Sequence, residues 1–313
     1  MMIERIKTII EQCNKTEDKV NSREKIIIII LIVILMVGII AFIIFNTAKN
    51  NNILLKDNIN EVVLGKEIEI YDIEEGYLKV PYNYSAEINE YKFNEFLENN
   101  NGYYTYEDEN YKSKLGIDVS SYQGNIDWKK VKQEGIEFAI LRLGYRGYGQ
   151  SGKIVLDSKF EENYKKAKEQ GIEIGVYFFS QAINIEEVKE EAEFVLKNLD
   201  KKQITYPVVF DLEKIKNDKA RTDNLSVEEI TNMTLEFCKV IKENGYESSI
   251  YGNAKTFTTK MKLELFNDYN KWYADYQEKP LYPYEFNLWQ YTETGKVNGI
   301  TGKVDLDIEF VKK

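Results

Sequence analysis

Histidine does not occur in this 313-residue sequence, and its absence excludes several kinds of catalytic site. Without an imidazole there can be no Ser-His-Asp triad, no Cys-His dyad and no histidine-ligated zinc ion. Acid–base chemistry near neutral pH must then use carboxylates, Lys, Tyr or Cys whose pKa values are shifted by their surroundings. Carboxylates are therefore the first candidates for catalytic residues.

The sequence also lacks a net positive charge and has little cysteine. The formal net charge of −10 gives no electrostatic basis for binding nucleic acid. Cysteine occurs only at Cys13 and Cys238, which the membrane topology predicted below places on opposite sides of a bilayer, so no intramolecular disulfide is expected. Cys238 lies on the apolar face of a predicted helix, and we predict a buried structural thiol there.

One long apolar run interrupts an otherwise polar N-terminal region. Residues 1–25 are polar and charged, whereas Ile26–Phe45 contains no charged or polar side chain. A helix of about 20 residues, rising about 1.5 Å per residue, spans a hydrocarbon layer of about 30 Å. No small-residue cleavage site follows the run, so the pattern predicts an uncleaved transmembrane anchor at residues 26–45.

The orientation of this predicted anchor follows from the positive charges near its ends. Basic residues precede the span, among them Lys7, Lys15, Lys19, Arg23 and Lys25, whereas the twenty residues after it contain only Lys49 and Lys56. The positive-inside rule then places residues 1–25 in the cytoplasm and residues 46–313 outside the cell.

The sequence of residues 46–112 predicts an extracellular linker or stalk with some local structure. Residues 46–52 are rich in Asn and favour a linker. The alternating runs Glu67–Tyr71 and Tyr77–Val80 predict two short strands, and Glu87–Leu97 predicts a short helix.

Residues 113–313 alternate between strand and helix patterns. The predicted helices are 126–133 (capped by Asn125), 158–170, 185–199, 226–244 (with a Ser226/Glu229 capping box) and 254–265. The predicted strands are Leu115–Val119, Phe138–Leu143, Ile172–Phe179, Tyr206–Leu212, Ser248–Tyr251, Trp272–Asp275, Asn287–Tyr291 and Val304–Leu306. Eight strands in mostly β-α order predict an α/β protein, an irregular barrel of parallel strands resembling a TIM barrel.

Acidic residues follow the predicted strands at several points. Tyr206–Glu213 is an apolar strand that ends in Asp211 and Glu213, whose side chains point to the same side. Alone, this segment fits a strand running into a solvated loop as well as it fits an active site. Asp118, Asp275, Asp305 and Asp307 also fall at predicted strand ends, which a barrel gathers at one mouth.

This group of carboxylates has two chemical interpretations. It fits a glycosidase site, in which burial and neighbouring charge keep one acid protonated. It equally fits a site for a divalent cation. Sequence periodicity does not separate the two.

Residues 113–310 resemble the family 25 glycoside hydrolases, the Chalaropsis-type lysozymes. The matching segments occur in the family's order and are Gly116–Gly124 with Ile126–Trp128, Phe138–Arg142, Gly175–Phe178, Val209–Glu213, Trp272–Tyr276, Leu288–Tyr291 and Val304–Asp307. The resemblance implies a flattened, irregular β/α barrel without metal or organic cofactor. It also implies a muramidase, which cleaves the β-1,4 bond between N-acetylmuramic acid and N-acetylglucosamine in peptidoglycan.

The resemblance also implies roles for four acids. Glu213 matches the general acid that protonates the leaving oxygen, and Asp211 matches a partner that orients or polarises the substrate's N-acetyl group. Asp118 and Asp305 match supporting carboxylates. The family is usually described as retaining with assistance from the substrate, an exception to the two-carboxylate scheme.

Several residues at strand ends are candidates for binding the sugar chain: Tyr177, Tyr251, Trp272, Asp275 and Gln290. The aromatic ones could equally be barrel packing. Arg142, within an apolar strand, is expected to need a buried carboxylate partner, and a structural ion pair fits it as well as a contact with the substrate does.

Combined with the predicted anchor, these features describe a membrane-tethered muramidase that remodels the nearby cell wall. The alternatives are a peptidoglycan-binding module without catalysis, a scaffold within an envelope complex, or a transglycosylation reaction.

Overall fold

The computed structural model describes residues 66–313, except residues 74, 100, 101, 201 and 217. Glu67–Lys313 form one compact unit. The predicted anchor at residues 26–45 and Cys13 lie outside the described residues. Within residues 66–313, no helix is both long enough and apolar enough to cross a bilayer.

Strands dominate this unit. In chain order they are β1 Glu67–Asp72, β2 Gly76–Pro81, β3 Phe96–Glu98, β4 Tyr104–Tyr106, β5 Tyr111–Val119, β6 Phe138–Arg146, β7 Ile154–Leu156, β8 Glu173–Ser180, β9 Val208–Leu212, β10 Ser248–Asn253, β11 Asn270–Ala274, β12 Leu288–Gly295 and β13 Val304–Lys312. The α-helices are α1 Trp128–Gln133, α2 Phe160–Glu169, α3 Ile185–Leu199 and α4 Val227–Glu243. All eight strands predicted for the barrel are confirmed; β7, an edge strand antiparallel to β6, was not predicted.

The barrel is closed by eight strands, in the order β5-β13-β12-β11-β10-β9-β8-β6, with β6 pairing back to β5. Its pairs are parallel except those of β13, which runs antiparallel to both β12 and β5. The prediction of parallel strands is therefore wrong for the last strand, in the part of the barrel that was predicted to be irregular. Only residues 296–303 connect β12 to β13, and a parallel connection needs a crossover of a dozen or more residues.

The direction of β13 decides which of its residues lie beside the carboxyl ends of the parallel strands. The carboxyl ends of the parallel strands define one end, called the mouth below. Because β13 runs the opposite way, its first residues lie at this mouth, whereas Lys312 lies at the other end.

The helices begin largely where the sequence predicts. Ser226 and Glu229 form the capping box at the start of α4, as predicted. The cap of α1 is Asp127 instead of Asn125, because the Asp127 side chain accepts from Lys130 N. The helix predicted at 254–265 is replaced by a π-helix at Thr256–Lys260 and a 3-10 helix at Leu263–Phe266.

Cys238 is a fully buried, free thiol on α4, as predicted. Burial raises the pKa of its thiol to about 12, so it stays protonated at neutral pH. A thiol in this state is a poor nucleophile.

Two stacked rings close the barrel interior at the end opposite the mouth. Phe138 and Tyr206 stack with their centroids 4.5 Å apart. Gly116 on β5 leaves room for them, since a Cβ atom there would lie 2.2 Å from the Phe138 ring. Phe138 therefore fills the space that a side chain at residue 116 would take.

Residues 67–112 pack against the barrel. β1 and β2 form the predicted antiparallel pair, with Glu67 opposite Pro81. The helix predicted at Glu87–Leu97 is wrong, because this segment forms turns, an isolated bridge from Ile88 to Tyr284, and the start of β3.

An aromatic layer holds this segment on the outside of β12 and β13. The Tyr91 ring stacks on Phe310 at 3.9 Å, and the Tyr104 ring stacks on Trp289 at 5.5 Å. The Tyr91 hydroxyl donates to the carbonyl of Phe286, which fixes the ring further. The predicted linker ending at residue 112 therefore does not hold for 67–112, and the compact unit begins at Glu67.

We predict that Tyr106→Ala lowers the free energy of unfolding by about 3–5 kcal/mol, the usual cost of truncating a buried aromatic side chain. Tyr106 is 2% exposed and contacts Phe310 and Phe96 in the aromatic layer. Urea unfolding measures the change. Tyr77→Ala on β2 is the control, since Tyr77 is 60% exposed and should cost about 1 kcal/mol or less. Equal losses in the two variants would contradict the packing of 67–112 on the barrel.

Candidate active site

Asp118 and Asp305 face each other across the pair formed by β5 and β13. They are register partners and their carboxyl groups are hydrogen-bonded. Burial, followed by the negative charges of Asp305 and Asp307, raises the pKa of Asp118 well above its ordinary value. Burial and the charge of Glu293 raise the pKa of Asp305 to about 6, although the bond from Asp118 lowers it. Asp118 is therefore the protonated donor of the two.

Asp211 and Glu213 occupy different environments at the end of β9. Asp211, the last residue but one of the strand, is buried. Glu213, just beyond the strand, is exposed. Burial, the charge of Glu213 and a hydrogen bond with Glu213 raise the pKa of Asp211 well above its ordinary value. Among the described residues, no partner reaches Oδ1 of Asp211. Asp118, Asp211, Glu213 and Asp305 are called the acid cluster below.

Gln290 connects the acid cluster to two tyrosines. Its Nε2 atom donates to Asp118 Oδ2 at 2.7 Å. Its Oε1 atom accepts from the hydroxyls of Tyr251 at 2.8 Å and Tyr276 at 2.9 Å. These bonds fix the amide orientation, so Gln290 serves as a buried support of Asp118. Tyr276 lies in the loop after β11, where no strand-end pattern marked it.

Trp272 lies inside the barrel, 2% exposed, beneath the aromatic residues of the mouth. Its Nε1 atom donates to Asp307 Oδ1 at 2.8 Å. Its ring meets Tyr251 edge-on at 4.7 Å and Tyr177 at 6.0 Å. Of the three predicted aromatic contacts, only Tyr177 is partly exposed, and Trp272 packs beneath the other two.

Asp275 is not brought to the acid cluster. Its carboxylate accepts from the Tyr273 hydroxyl at 2.8 Å and from the backbone of Gln277 at 3.0 Å. Side chains alternate along a strand, so with Trp272 and Ala274 inside the barrel, Asp275 shares the outer side with Tyr273. Asp275 therefore anchors the loop after β11.

Arg142 has the buried carboxylate partner that the sequence requires. Its Nε atom donates to Asp157 Oδ2 at 2.8 Å, and its NH2 group donates to Ser121 Oγ at 3.0 Å. Asp157 lies just after β7, in a part where no barrel strand was predicted. The positive charge of Arg142 also lowers the pKa of Asp211, against the larger effect of burial.

Gln181, which directly follows β8, holds the loop after β9 in place. This fully buried side chain donates from Nε2 to the backbone carbonyl of Glu213 at 2.9 Å. Its Oε1 atom accepts from the Thr222 hydroxyl at 3.0 Å. One amide therefore fixes the chain both at Glu213 and nine residues further on. The sequence placed Gln181 at a strand end but gave it no role.

The described residues contain no group of three or more acidic or cysteine side chains with the arrangement of a metal site. The buried acids instead bond to one another, to the Gln290 amide and to the Trp272 ring nitrogen.

A closed α/β barrel with an acid cluster at the mouth has the architecture of a glycoside hydrolase. Residues 117–300, more than half of the chain, match the model of the glycosyl hydrolases family 25. The chain belongs to this family, as its motifs predict.

Known relatives agree with this membership. Over 202 residues the chain is 29% identical to the uncharacterized protein YegX of Escherichia coli K12, covering 62% of this chain and 68% of YegX. Over 196 residues it is 28% identical to the autolytic lysozyme of Clostridium acetobutylicum, covering 61% of this chain and 54% of that protein.

The fold is also similar to that of the modular autolysin LytC from Streptococcus pneumoniae, solved with a synthetic peptidoglycan ligand. The TM-score is 0.56 at 24% identity, over 79% of this chain and 58% of LytC. The chain thus spans little more than half of LytC and of the autolytic lysozyme.

We predict that the stability of the protein falls as the pH rises from about 4 to 7, partly because of Asp305. The folded state raises the pKa of this carboxyl from 3.8 to about 6, so folding favours its protonated form. The stabilisation is complete below the ordinary pKa and is lost as the pH rises through about 6. The loss attributable to Asp305 is about 3 kcal/mol.

Urea unfolding at several pH values, in wild type and Asp305→Asn, measures this contribution. The variant should lose less stability over the interval, because its residue 305 does not titrate. Asp268→Asn, at an exposed position, is the control and should keep the wild-type pH dependence. The same slope in Asp305→Asn and wild type would contradict the assignment.

Proposed function

We propose that this chain is a muramidase that hydrolyses the β-1,4 bond between N-acetylmuramic acid and N-acetylglucosamine in peptidoglycan. The observation that supports this most strongly is the acid cluster, in which an exposed Glu213 stands beside a buried, hydrogen-bonded Asp211. Membership of family 25, the lysozyme among its relatives and the peptidoglycan ligand of LytC support the same substrate.

Glu213 is the general acid in this proposal. It is the exposed member of the cluster, so it can reach the leaving oxygen of a glycan lying across the mouth. The bond from Gln181 to its carbonyl fixes the backbone from which the side chain projects. Positioning of this kind is what a proton donor needs in the transition state.

Asp211 assists by orienting the N-acetyl group of the substrate. Two carboxyls hydrogen-bonded to each other are closer than the about 5–5.5 Å that separates acid and nucleophile in retaining enzymes. Asp211 therefore does not suit the role of a nucleophile on the opposite side of the sugar. Its unpartnered buried Oδ1 suits an acceptor for the N–H of the acetamido group. The acetamido oxygen then bonds to the anomeric carbon as the glycosidic C–O bond breaks and Glu213 protonates the leaving oxygen, and water opens the resulting ring to complete the hydrolysis.

The remaining site residues support these two. Asp118 and Asp305 share a proton beneath the sugar and adjust the charge of the mouth. Tyr177, partly exposed, lies against the sugar, while Tyr251, Gln290 and Trp272 hold the buried side of the mouth in place.

The enzyme acts near the membrane in this proposal. The apolar run at residues 26–45 anchors the chain, residues 1–25 lie in the cytoplasm and the barrel lies outside. A tethered muramidase cleaves wall close to its own membrane, which fits local remodelling better than release of a diffusing lysin.

We predict that Glu213→Gln lowers kcat on purified peptidoglycan by at least about 10²-fold, with little change in KM, because the variant binds but lacks the proton donor. Release of reducing sugar by the full chain in detergent measures this. Glu243→Gln, on the exposed side of α4, is the matched control and should keep wild-type activity. Wall left intact by wild type and variant alike would favour the binding or scaffold alternative and overturn the enzyme assignment.

We predict that the full chain sediments with membranes and stays there after a carbonate wash, because the apolar run crosses the bilayer. Deleting residues 26–45 should move it to the soluble fraction. Fractionation with detection of the C-terminus checks both forms. A shortened, released enzyme as the main cellular species would contradict the anchor.

A further inference from the structure

A cavity of about 420 Å³ adjoins the acid cluster beside β9 and β10. Glu213 and Tyr251 form part of its lining, so it lies directly beside the proposed proton donor. Phe210 and Ile250 also line it, and these residues alternate with the inward-facing Asp211 and Tyr251. Its size falls within the range of about 300–1,000 Å³ typical of ligand pockets. It is called the side cavity below.

The side cavity has an apolar floor. Phe210, Leu212 and Ile250 contribute from the strands, while Leu225 and Met261 contribute from the loops that follow them. Thr222, Asn253 and Thr256 add hydroxyl and amide groups among these side chains. A mixed lining of this kind accommodates small alkyl groups together with amide bonds.

Four lysines line the side cavity, against three acids, Asp72, Glu213 and Asp223. The lysines are Lys214, Lys216, Lys255 and Lys260. Lys255 forms an ion pair with Glu75. The hydrogen bond and charge of Lys255, followed by the charges of Lys214 and Lys260, lower the pKa of Glu75, so these lysines act on a carboxylate of the neighbouring β1–β2 hairpin.

The two other acids of the lining are engaged with the backbone. Asp72 Oδ1 accepts from Glu75 N at 2.8 Å. Asp223 Oδ2 accepts from Ala220 N at 3.0 Å. Lys214 and Lys260 are both exposed residues of the cavity lining.

One wall of the side cavity comes from outside the family barrel. Asp72 and Ile73 belong to the hairpin of β1 and β2, whereas the family match begins at residue 117. The Glu75–Lys255 ion pair ties this hairpin to the turn after β10. The hairpin therefore adds a binding surface beside the active site that the matched residues do not supply.

We propose that the side cavity binds the peptide stem of the muramic acid unit whose glycosidic bond is cleaved. This inference rests on the proposed muramidase function. The stem is joined to the lactyl group of the same sugar, so it leaves the glycan chain close to the scissile bond. It consists of small alkyl residues joined by amides and carries several free carboxylates. The apolar floor suits its methyl groups, and the lysines suit its carboxylates.

The test compares kcat/KM of the full chain on three substrates. These are uncrosslinked glycan strands with intact stems, the same strands with stems removed by an amidase, and strands whose stem carboxylates have been amidated. We expect wild type to prefer intact stems by roughly 3- to 10-fold, the effect of two partly exposed charge pairs.

The double variant Lys214→Ala/Lys260→Ala should lose this preference while keeping wild-type activity on stripped strands. Ile73→Asp, which places a carboxylate on the hairpin wall, should weaken cleavage of intact strands selectively. Lys165→Ala/Lys239→Ala is the matched control, because both lysines are exposed and neither lines the side cavity, and should keep the preference.

Each remaining outcome contradicts the inference in a recognisable way. Wild type that cleaves intact and stripped strands equally well overturns stem binding but leaves the muramidase function in place. Amidated strands cleaved as well as intact ones overturn recognition of carboxylates by the lysines. Wild type that cleaves none of the three substrates overturns the proposed function itself.

Discussion

The hydrogen bond between Asp118 and Asp305 depends on the direction of one strand. β13 runs against its neighbours, so its first residues, instead of its last, stand at the mouth of the barrel. Register then places Asp305 opposite Asp118, and Asp307 two residues deeper, where it accepts from Trp272. Reversing this strand would move both acids toward the other end of the barrel and leave Asp118 without its acidic partner.

Several carboxyl groups therefore lie together at the mouth of the barrel, where there is little solvent and little positive charge. The nearby cation Arg142 is already bonded to Asp157. Charged carboxylates would be costly there, and the site instead holds protons and bonds to neutral donors. Gln290 supplies such a bond to Asp118. Glu213 is the most exposed member of the cluster, Asp305 is half-buried, and Asp118 and Asp211 are buried.

Local patterns in the sequence predicted much of this architecture. Each barrel strand is an apolar run with clear ends, and the Ser226 capping box is a local signal, so both were predictable. The need of Arg142 for a carboxylate was also predictable, because a buried guanidinium requires one. That the partner is Asp157 was not predictable, because a contact between residues on different segments of the chain leaves no signal in the local spacing of the sequence.

The errors share a different cause, since each concerns direction or distant packing. Asp275 ends its strand as predicted, but alternation from Trp272 turns it away from the mouth. The short connection before β13 was visible in the sequence and could have signalled an antiparallel strand. The aromatic side chains of residues 67–112 gave no periodic signal, because they pack as turns against β12 and β13 and not as a helix or a long strand.

The aromatic layer also affects how this enzyme can be divided into parts. The family match stops at residue 300, before the strand that closes the barrel and bears Asp305. A chain starting at residue 113 would keep that strand but uncover Trp289 and Phe310, which now lie beneath Tyr104 and Tyr91. A freshly exposed apolar patch of this kind promotes self-association. A piece that keeps this patch covered therefore begins at the first strand of the N-terminal hairpin, well before the boundary that sequence similarity suggests.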